Sequence, residues 1–229
     1  PTTFQDAIDM MKEYAIWDEA PASIREYLLE GLAHPEMETP KKLTNTRAYI
    51  HSVADPRSTC VAAANKAKEL GYTPYVLSTA LEGDACNLGI FFSGIANEVT
   101  KTGRPFAAPC AIISAGETTV TIHGPCGAGG PNQETALGYP LKLHAQSPTV
   151  CLSMDSDGTD GPSDIAGGIS DNQTFERACE LGLNLWEMLG RHDSSTALLQ
   201  LNDALITGHT GTNIMNFRVV VIEKKENES

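Results

Sequence analysis

The fold of this chain is decided by a stretch that runs from the strand-like Ser114-Ala-Gly-Glu117-Thr-Thr119 through the glycine-rich Gly124-Pro-Cys-Gly-Ala-Gly-Gly-Pro131 to Asn132-Gln133-Glu134. The apolar run Ala111-Ile-Ile113 precedes it. A second strand-like run, Thr149-Val-Cys-Leu-Ser153, follows and leads into the acidic sequence Asp155-Ser-Asp157-Gly-Thr-Asp160-Gly-Pro-Ser-Asp164. A strand, a glycine loop, a helix, a second strand and an acidic loop in this order are typical of an α/β site for a phosphorylated or polyhydroxy ligand.

The glycine loop, residues 124–131, is the first candidate for ligand binding. Gly129 and Gly130 allow the backbone to come close to a ligand. Asn132 is predicted to cap the following helix and to leave free N–H groups that face an anion. The loop matches neither GxxxxGK(S/T) nor a clean GxGxxG pattern. A substrate- or nucleotide-binding role for Gly129, Gly130 and Asn132 therefore stands beside the alternative of an ordinary turn.

The acidic loop, residues 155–164, is the second candidate. Four carboxylates in one loop repel each other unless a cation or hydrogen-bond donors meet them. Such carboxylates bind Mg²⁺, accept a hydroxyl proton or cap a turn. We predict that Asp157 and Asp160 are catalytic and metal-binding, and that Asp164 is a cap. Glu117 ends a strand, where a charged side chain usually faces the ligand crevice, although a hydrogen bond to a neighbouring loop is the alternative.

A fourth motif, Thr207-Gly-His-Thr-Gly-Thr-Asn213, completes a set that resembles the C-terminal (MOFRL) domain of type II glycerate 2-kinases, a family also named hydroxypyruvate reductases. A looser resemblance covers the first hundred residues through Leu70-Gly-Tyr-Thr-Pro-Tyr-Val-Leu-Ser78. Family members are longer than this chain. The resemblance therefore implies that this chain is the C-terminal half of such a protein. The missing N-terminal half is then its expected partner, and a homodimer is a candidate assembly.

The resemblance implies ATP-dependent phosphorylation of D-glycerate at the 2-hydroxyl, with Mg²⁺. It places Glu117 in the site as a catalytic residue and Asn213 as a substrate- or nucleotide-binding residue, although asparagine is also a common turn residue. It also matches Arg218, for which a sheet-edge role is the alternative. Many members carry arginine where this chain has Pro131, and an arginine there would grip phosphate or carboxylate through two hydrogen bonds.

Two other functions remain open. A hydroxypyruvate reductase would need a dinucleotide-binding fingerprint, and we find none in the sequence. A non-catalytic binding or assembly module would keep the fold and lose the site, and Pro131 together with the missing half favours this alternative.

The predicted architecture is α/β. The resemblance implies that residues 1–104 form the end of a doubly wound Rossmann-like domain and residues 105–229 a smaller mixed α/β domain. We predict a parallel β-α-β unit from a strand at Ala48–Ala54, a helix that Asp55 caps, and a strand at Pro74–Ser78. Later elements are predicted at 84–102, 132–145, 171–189 and 193–201 for helices and at 217–222 for the last strand.

Charge and cysteine content limit the binding partners and the cellular compartment that we expect. The net charge of −13 argues against binding to nucleic acid and to anionic membranes. No apolar run approaches the roughly 20 residues that span a bilayer. The six cysteines form no CxxC pair, so zinc is not expected and a reducing cytoplasm is favoured.

Overall fold

The structure is a computed structural model that describes residues 2–42, 47, 49 and 51–225. The chain divides into two compact units, residues 1–51 and residues 52–229. The α-helices in the described ranges are α1 (Phe4–Glu13), α2 (Ala22–Ala33), α3 (Pro56–Glu69), α4 (Ala85–Thr102), α5 (Pro131–Gly138), α6 (Thr174–Glu180), α7 (Leu185–Gly190) and α8 (Ser194–Leu201). The strands are β1 (Thr73–Asp84), β2 (Cys110–Thr119), β3 (Thr149–Asp155), β4 (Gly167–Asp171), β5 (Ala204–Leu205) and β6 (Asn216–Ile222). Short 3-10 turns lie at Pro35–Met37 and Tyr139–Lys142. None of these helices has the length and apolar character needed to cross a bilayer.

The first unit is a pair of helices. Thr3 and Asp6 form a capping box, in which each side chain accepts a hydrogen bond from the other residue's backbone N–H. Phe4 packs edge-on against Tyr27 of α2, with 5.7 Å between ring centroids. This aromatic contact joins α1 to α2.

The second unit is built on one mixed sheet in the order β1-β2-β6-β3-β4-β5. β1 and β2 are parallel and α4 connects them, whereas every other neighbouring pair is antiparallel. The predicted α/β class is confirmed. Because β1 precedes residue 104 and β2 follows it, one sheet contains residues from both sides of the predicted domain boundary. The domain boundary between residues 104 and 105, which the resemblance implied, stays a prediction.

Helices cover both faces of the sheet. On one face, α4 contributes Phe92, Ala96 and Val99 to a core that contains Ile112 of β2 and Val220 of β6. On the other face, Cys60 of α3 packs with Ile113 and Ala115 of β2. The alternation of side chains along β2 explains this two-sided packing, because successive strand residues point to opposite faces.

Several predicted elements differ from the structure. The predicted strand at 48–54 lies partly outside the described residues, and residues 51–54 contain no strand, with Val53 99% exposed. The parallel unit is instead β1-α4-β2. The helix predicted over 171–189 is wrong: β4 ends at Asp171, and Gly182, at φ 72°, separates α6 from α7. The helix predicted over 132–145 ends at Gly138 and continues only as a 3-10 turn.

The close packing of α4 on α5 generates a prediction about Gly89. A Cβ atom on Gly89 would overlap the Thr135 carbonyl oxygen and lie 2.8 Å from the Tyr139 nitrogen. We expect Gly89→Ala to lower the free energy of unfolding by about 1–3 kcal/mol, the usual cost of overpacking. Gly94 of the same helix is the matched control, since a Cβ there meets no atom within 4 Å. Gly94→Ala should raise the free energy of unfolding by about 0.5–1 kcal/mol, because alanine loses less backbone freedom than glycine in a helix. Urea unfolding of both variants checks this pair, and equal effects would contradict the packing argument.

Candidate functional site

Glu117, Asp157 and Asn213 come from three neighbouring strand ends. β6 lies between β2 and β3 and is antiparallel to both, so its first residue lies beside the last residues of its neighbours. Asn216 is paired with Gly116 on one side and with Asp155 on the other. Glu117 and the acidic loop therefore emerge at the same edge of the sheet as Asn213, which precedes β6.

Asp157 and Asn213 are in direct contact. Asp157 Oδ2 accepts a hydrogen bond of 3.2 Å from Asn213 Nδ2. Asp157 Oδ1 accepts from the backbone nitrogen and the hydroxyl of Thr159, at 2.8 and 2.9 Å. A further bond joins the two loops, since Ile214 N donates to Ser156 Oγ at 2.7 Å. The segment before β6 thus holds the acidic loop in place.

Asp160 lies beneath this edge and is only 3% exposed. Its Oδ1 accepts from the backbone and side-chain nitrogens of Asn132, at 3.1 and 3.0 Å. Its Oδ2 accepts from the backbone and side-chain nitrogens of Gln133, at 2.9 and 3.2 Å. Burial raises the pKa of the Asp160 carboxyl, and these hydrogen bonds oppose that rise. The first N–H groups of α5 therefore face Asp160, although we predicted that they would face an external anion.

The predicted capping role of Asn132 is wrong. The N-cap of α5 is Gly130, which supplies no side-chain bond. Asn132 lies inside the helix and is fully buried, and its side chain bonds Asp160, Asn216 and Ser153. A residue distant in sequence provides the cap that the local rule assigned to Asn132.

Gly129 and Gly130 are closely packed against other parts of the protein. A Cβ atom on Gly130 would overlap the Asp160 carboxylate, and one on Gly129 would overlap Ser194 Oγ at the start of α8. These contacts explain the two glycines without a ligand. Their predicted role in binding substrate or nucleotide stays a prediction.

The edge is acidic, with one cation beneath it. Burial raises the pKa of Glu117, and the charge of Asp155 raises it further. Burial likewise raises the pKa of Asp155, and the charges of Asp157 and Asp160 add to the rise. Arg218 is fully buried, and burial lowers the pKa of its guanidinium to about 10. Its Nη2 donates to Thr118 Oγ1 at 2.6 Å, while Nε and Nη1 have no partner among the described residues.

Mg²⁺ would depend on few protein ligands at this edge. The part of the chain that the structure describes contains no group of three or more histidine, cysteine or acidic side chains placed to hold a metal ion. Proteins often bind Mg²⁺ through only one or two carboxylates together with substrate phosphates and water. Asp155 and Asp157 fit that pattern. Asp160 fits it less well, because a metal would displace hydrogen bonds to α5.

Sequence reasoning missed one pair of residues entirely. Glu134 of α5 is 3% exposed, and its Oε1 lies 2.9 Å from His192 Nδ1. His192 follows α7, 58 positions further along the chain. No motif joins the two residues, so only the fold reveals their contact.

Comparison with known proteins agrees with the motifs. Residues 110–216 match the MOFRL family. A glycerate 2-kinase of Pyrococcus horikoshii is 39% identical over 226 residues, which cover 98% of this chain and 51% of that protein. A D-glycerate 2-kinase of Thermotoga maritima is 35% identical over 221 residues, covering 96% and 50%. An Agrobacterium vitis protein with the provisional name hydroxypyruvate reductase is 35% identical over 223 residues, covering 97% and 49%.

Two crystal structures show the same fold. A Pyrococcus horikoshii protein superposes with a TM-score of 0.73 at 39% identity, over 98% of this chain and 51% of that one. A glycerate kinase of Thermotoga maritima superposes with a TM-score of 0.75 at 35% identity, over 96% and 50%. The chain thus spans about half the length of the relatives it matches. In that half it belongs to the type II glycerate 2-kinase family, whose members are also named hydroxypyruvate reductases, and carries the family's MOFRL region.

Proposed function

We propose that this chain forms the C-terminal half of a glycerate 2-kinase that transfers a phosphoryl group from ATP to the 2-hydroxyl of D-glycerate, with Mg²⁺. The observation that carries the proposal is the contact between Asp157 and Asn213 beside Asp155 and Glu117, in a chain with relatives named glycerate 2-kinases. Carboxylates at strand ends suit a reaction that depends on positioning and on neutralising charge.

Each carboxylate at the edge has a distinct role in this proposal. Glu117 accepts the proton of the substrate hydroxyl, a task that its raised pKa suits because a general base works best near the operating pH. Asp157 and Asp155 hold the metal, and Asn213 orients Asp157. When bound, Mg²⁺ neutralises charge on the phosphoryl group. Asp160 becomes a positioning residue, since its carboxylate holds α5 against the acidic loop.

The proposed enzyme needs a second part. The relatives are about twice as long as this chain, which covers 51% and 50% of the first two. We propose that the missing half supplies further cations to the acidic edge, where Arg218 is the buried cation among the described residues, and that the site forms where the two halves meet. We further propose a cytoplasmic enzyme, which agrees with its six free cysteines.

Enzyme activity tests whether the site is divided between two halves. We expect negligible ADP release when the 229-residue chain alone receives ATP, Mg²⁺ and D-glycerate, and robust release when the missing half is added. In the reconstituted protein, Glu117→Gln should lower kcat about 10²–10⁴-fold, the usual contribution of a general base. Glu69→Gln is the matched control, because Glu69 forms an exposed pair with Lys66. Strong turnover by the chain alone would contradict the proposal of a divided site. An unchanged kcat in Glu117→Gln would show that Glu117 is not the general base.

Stability as a function of pH and Mg²⁺ tests the proposed metal site. The folded-state pKa values of Asp155 and Glu117 are raised, so the folded chain holds these protons more tightly than the unfolded chain does. Their contribution to stability is therefore complete below the unfolded values near 3.8 and 4.5 and is lost as the pH rises through the raised values. Mg²⁺ bound to Asp155 and Asp157 should reverse part of this loss near neutral pH, by about 1.4 kcal/mol at ten times its Kd.

Thermal unfolding between acidic and neutral pH, with and without Mg²⁺, measures both effects. The gain from Mg²⁺ should disappear in Asp157→Asn and remain in Asp164→Asn, an exposed acid of the same loop. A gain of equal size in Asp157→Asn and in wild type would show that the ion binds elsewhere.

A further inference from the structure

A cavity of about 250 Å³ lies behind the glycine loop. The glycine loop forms one wall, Gly161 and Pro162 of the acidic loop form another, and residues that precede and follow these loops complete the enclosure. Four apolar side chains face the cavity: Val120, Ile122, Pro131 and Pro162. Glu134 and His192 are the ionisable pair in its lining.

The polar end of the cavity is a fixed pair. Glu134 is almost completely buried, and its Oε1 lies 2.9 Å from His192 Nδ1. Burial raises the pKa of Glu134, and the hydrogen bond to His192 opposes the rise. His192 has a φ of 55°, a left-handed conformation that non-glycine residues keep only where their surroundings hold them. With Nδ1 engaged, Nε2 has no hydrogen-bond partner among the described residues and is left to bond a ligand.

The lining selects against anions and small polar acids. The N–H groups of Asn132 and Gln133 are already bonded to Asp160, and no lysine or arginine lines the cavity in the described part of the chain. A phosphate would therefore meet the Glu134 carboxylate with no lysine or arginine in the described lining to balance it. Glycerate would leave its hydroxyls and carboxylate against apolar walls, which costs free energy because those groups lose their hydrogen bonds to water.

The size of the cavity suits a ring system. Pockets for drug-sized ligands measure about 300–1,000 Å³, so this smaller cavity takes part of a nucleotide and not the whole molecule. A planar heteroaromatic base presents apolar faces to the prolines and to the glycine backbone. The edge of the base carries nitrogen donors and acceptors that can form a hydrogen bond with the imidazole Nε2 of His192.

We propose that this cavity binds the purine base of the phosphate donor. The proposal rests on the proposed function, in which ATP is that donor. Gly161 and Pro162 belong to the same loop as Asp155 and Asp157, so the base and the metal-binding carboxylates lie along one loop. The proposal also gives Pro131 a role: in place of the arginine that the family resemblance implied, proline adds an apolar wall for the base.

Adenosine tests the assignment, because it carries the base without phosphates. Isothermal titration of adenosine into the 229-residue chain should show saturable binding. Ile122→Trp should abolish it, since Ile122 is 50% exposed and a larger side chain can fill the cavity without entering the core. His192→Phe should weaken it about tenfold, as expected for one lost hydrogen bond. His144→Gln is the matched control, because His144 is exposed and lies outside the cavity lining.

Binding that is lost in Ile122→Trp, weakened in His192→Phe and not displaced by tripolyphosphate or D-glycerate supports the assignment, provided that circular dichroism shows both variants folded. Absence of saturable adenosine binding to wild type overturns it. Unchanged binding in folded Ile122→Trp, or displacement by D-glycerate, also overturns it. The proposed kinase activity fails separately: a reconstituted protein that binds adenosine here and does not phosphorylate glycerate rejects the reaction and keeps the base site.

Discussion

The bond between the Asp160 carboxylate and the first turn of α5 is the interaction on which the site depends. A carboxylate at a helix N-terminus is stabilised by the exposed N–H groups and by the helix dipole. Here that carboxylate comes from the acidic loop, so a single contact joins the acidic loop, the glycine loop and α5. The helix partners extend the connection: Asn132 bonds Asn216 and Ser153, and Gln133 bonds Ser195 of α8. A buried polar network of this kind fixes geometry strongly when its members are satisfied.

This network decides which acids are available for chemistry. Asp160 is enclosed by donors, whereas Asp155 and Asp157 remain half-buried at the edge of the sheet. The acidic loop tolerates its charges because α5 stabilises one of them and Asn213 donates to another. Burial lowers the pKa of the Arg218 guanidinium within the sheet below, and the charges of Cys151, Glu117, Asp160 and Asp155 partly oppose that effect.

The order of motifs was enough to predict the α/β class. Local rules also placed the start of α3 correctly: Asp55 caps the helix and Pro56 is its first residue. The same rules failed at α5, because the side chain that caps it, Asp160, lies 28 positions from Asn132 in sequence. They missed β4, since glycines at 167 and 168 weaken a strand pattern and only pairing with β3 and β5 reveals it. The Glu134–His192 pair was beyond sequence reasoning because it depends on the packing of separate elements.

The position of β6 has a consequence for the biogenesis of the protein. This strand follows the other five strands in sequence but lies in the interior of the sheet, between β2 and β3. Until it emerges from the ribosome, β2 and β3 each present an unpaired edge, and such edges readily pair with other chains. The pairings that close the sheet also span long sequence separations, which slows folding. The complete sheet therefore forms only after residues 216–222 have been synthesised, and a polypeptide that stops before residue 216 exposes two aggregation-prone edges in place of a site.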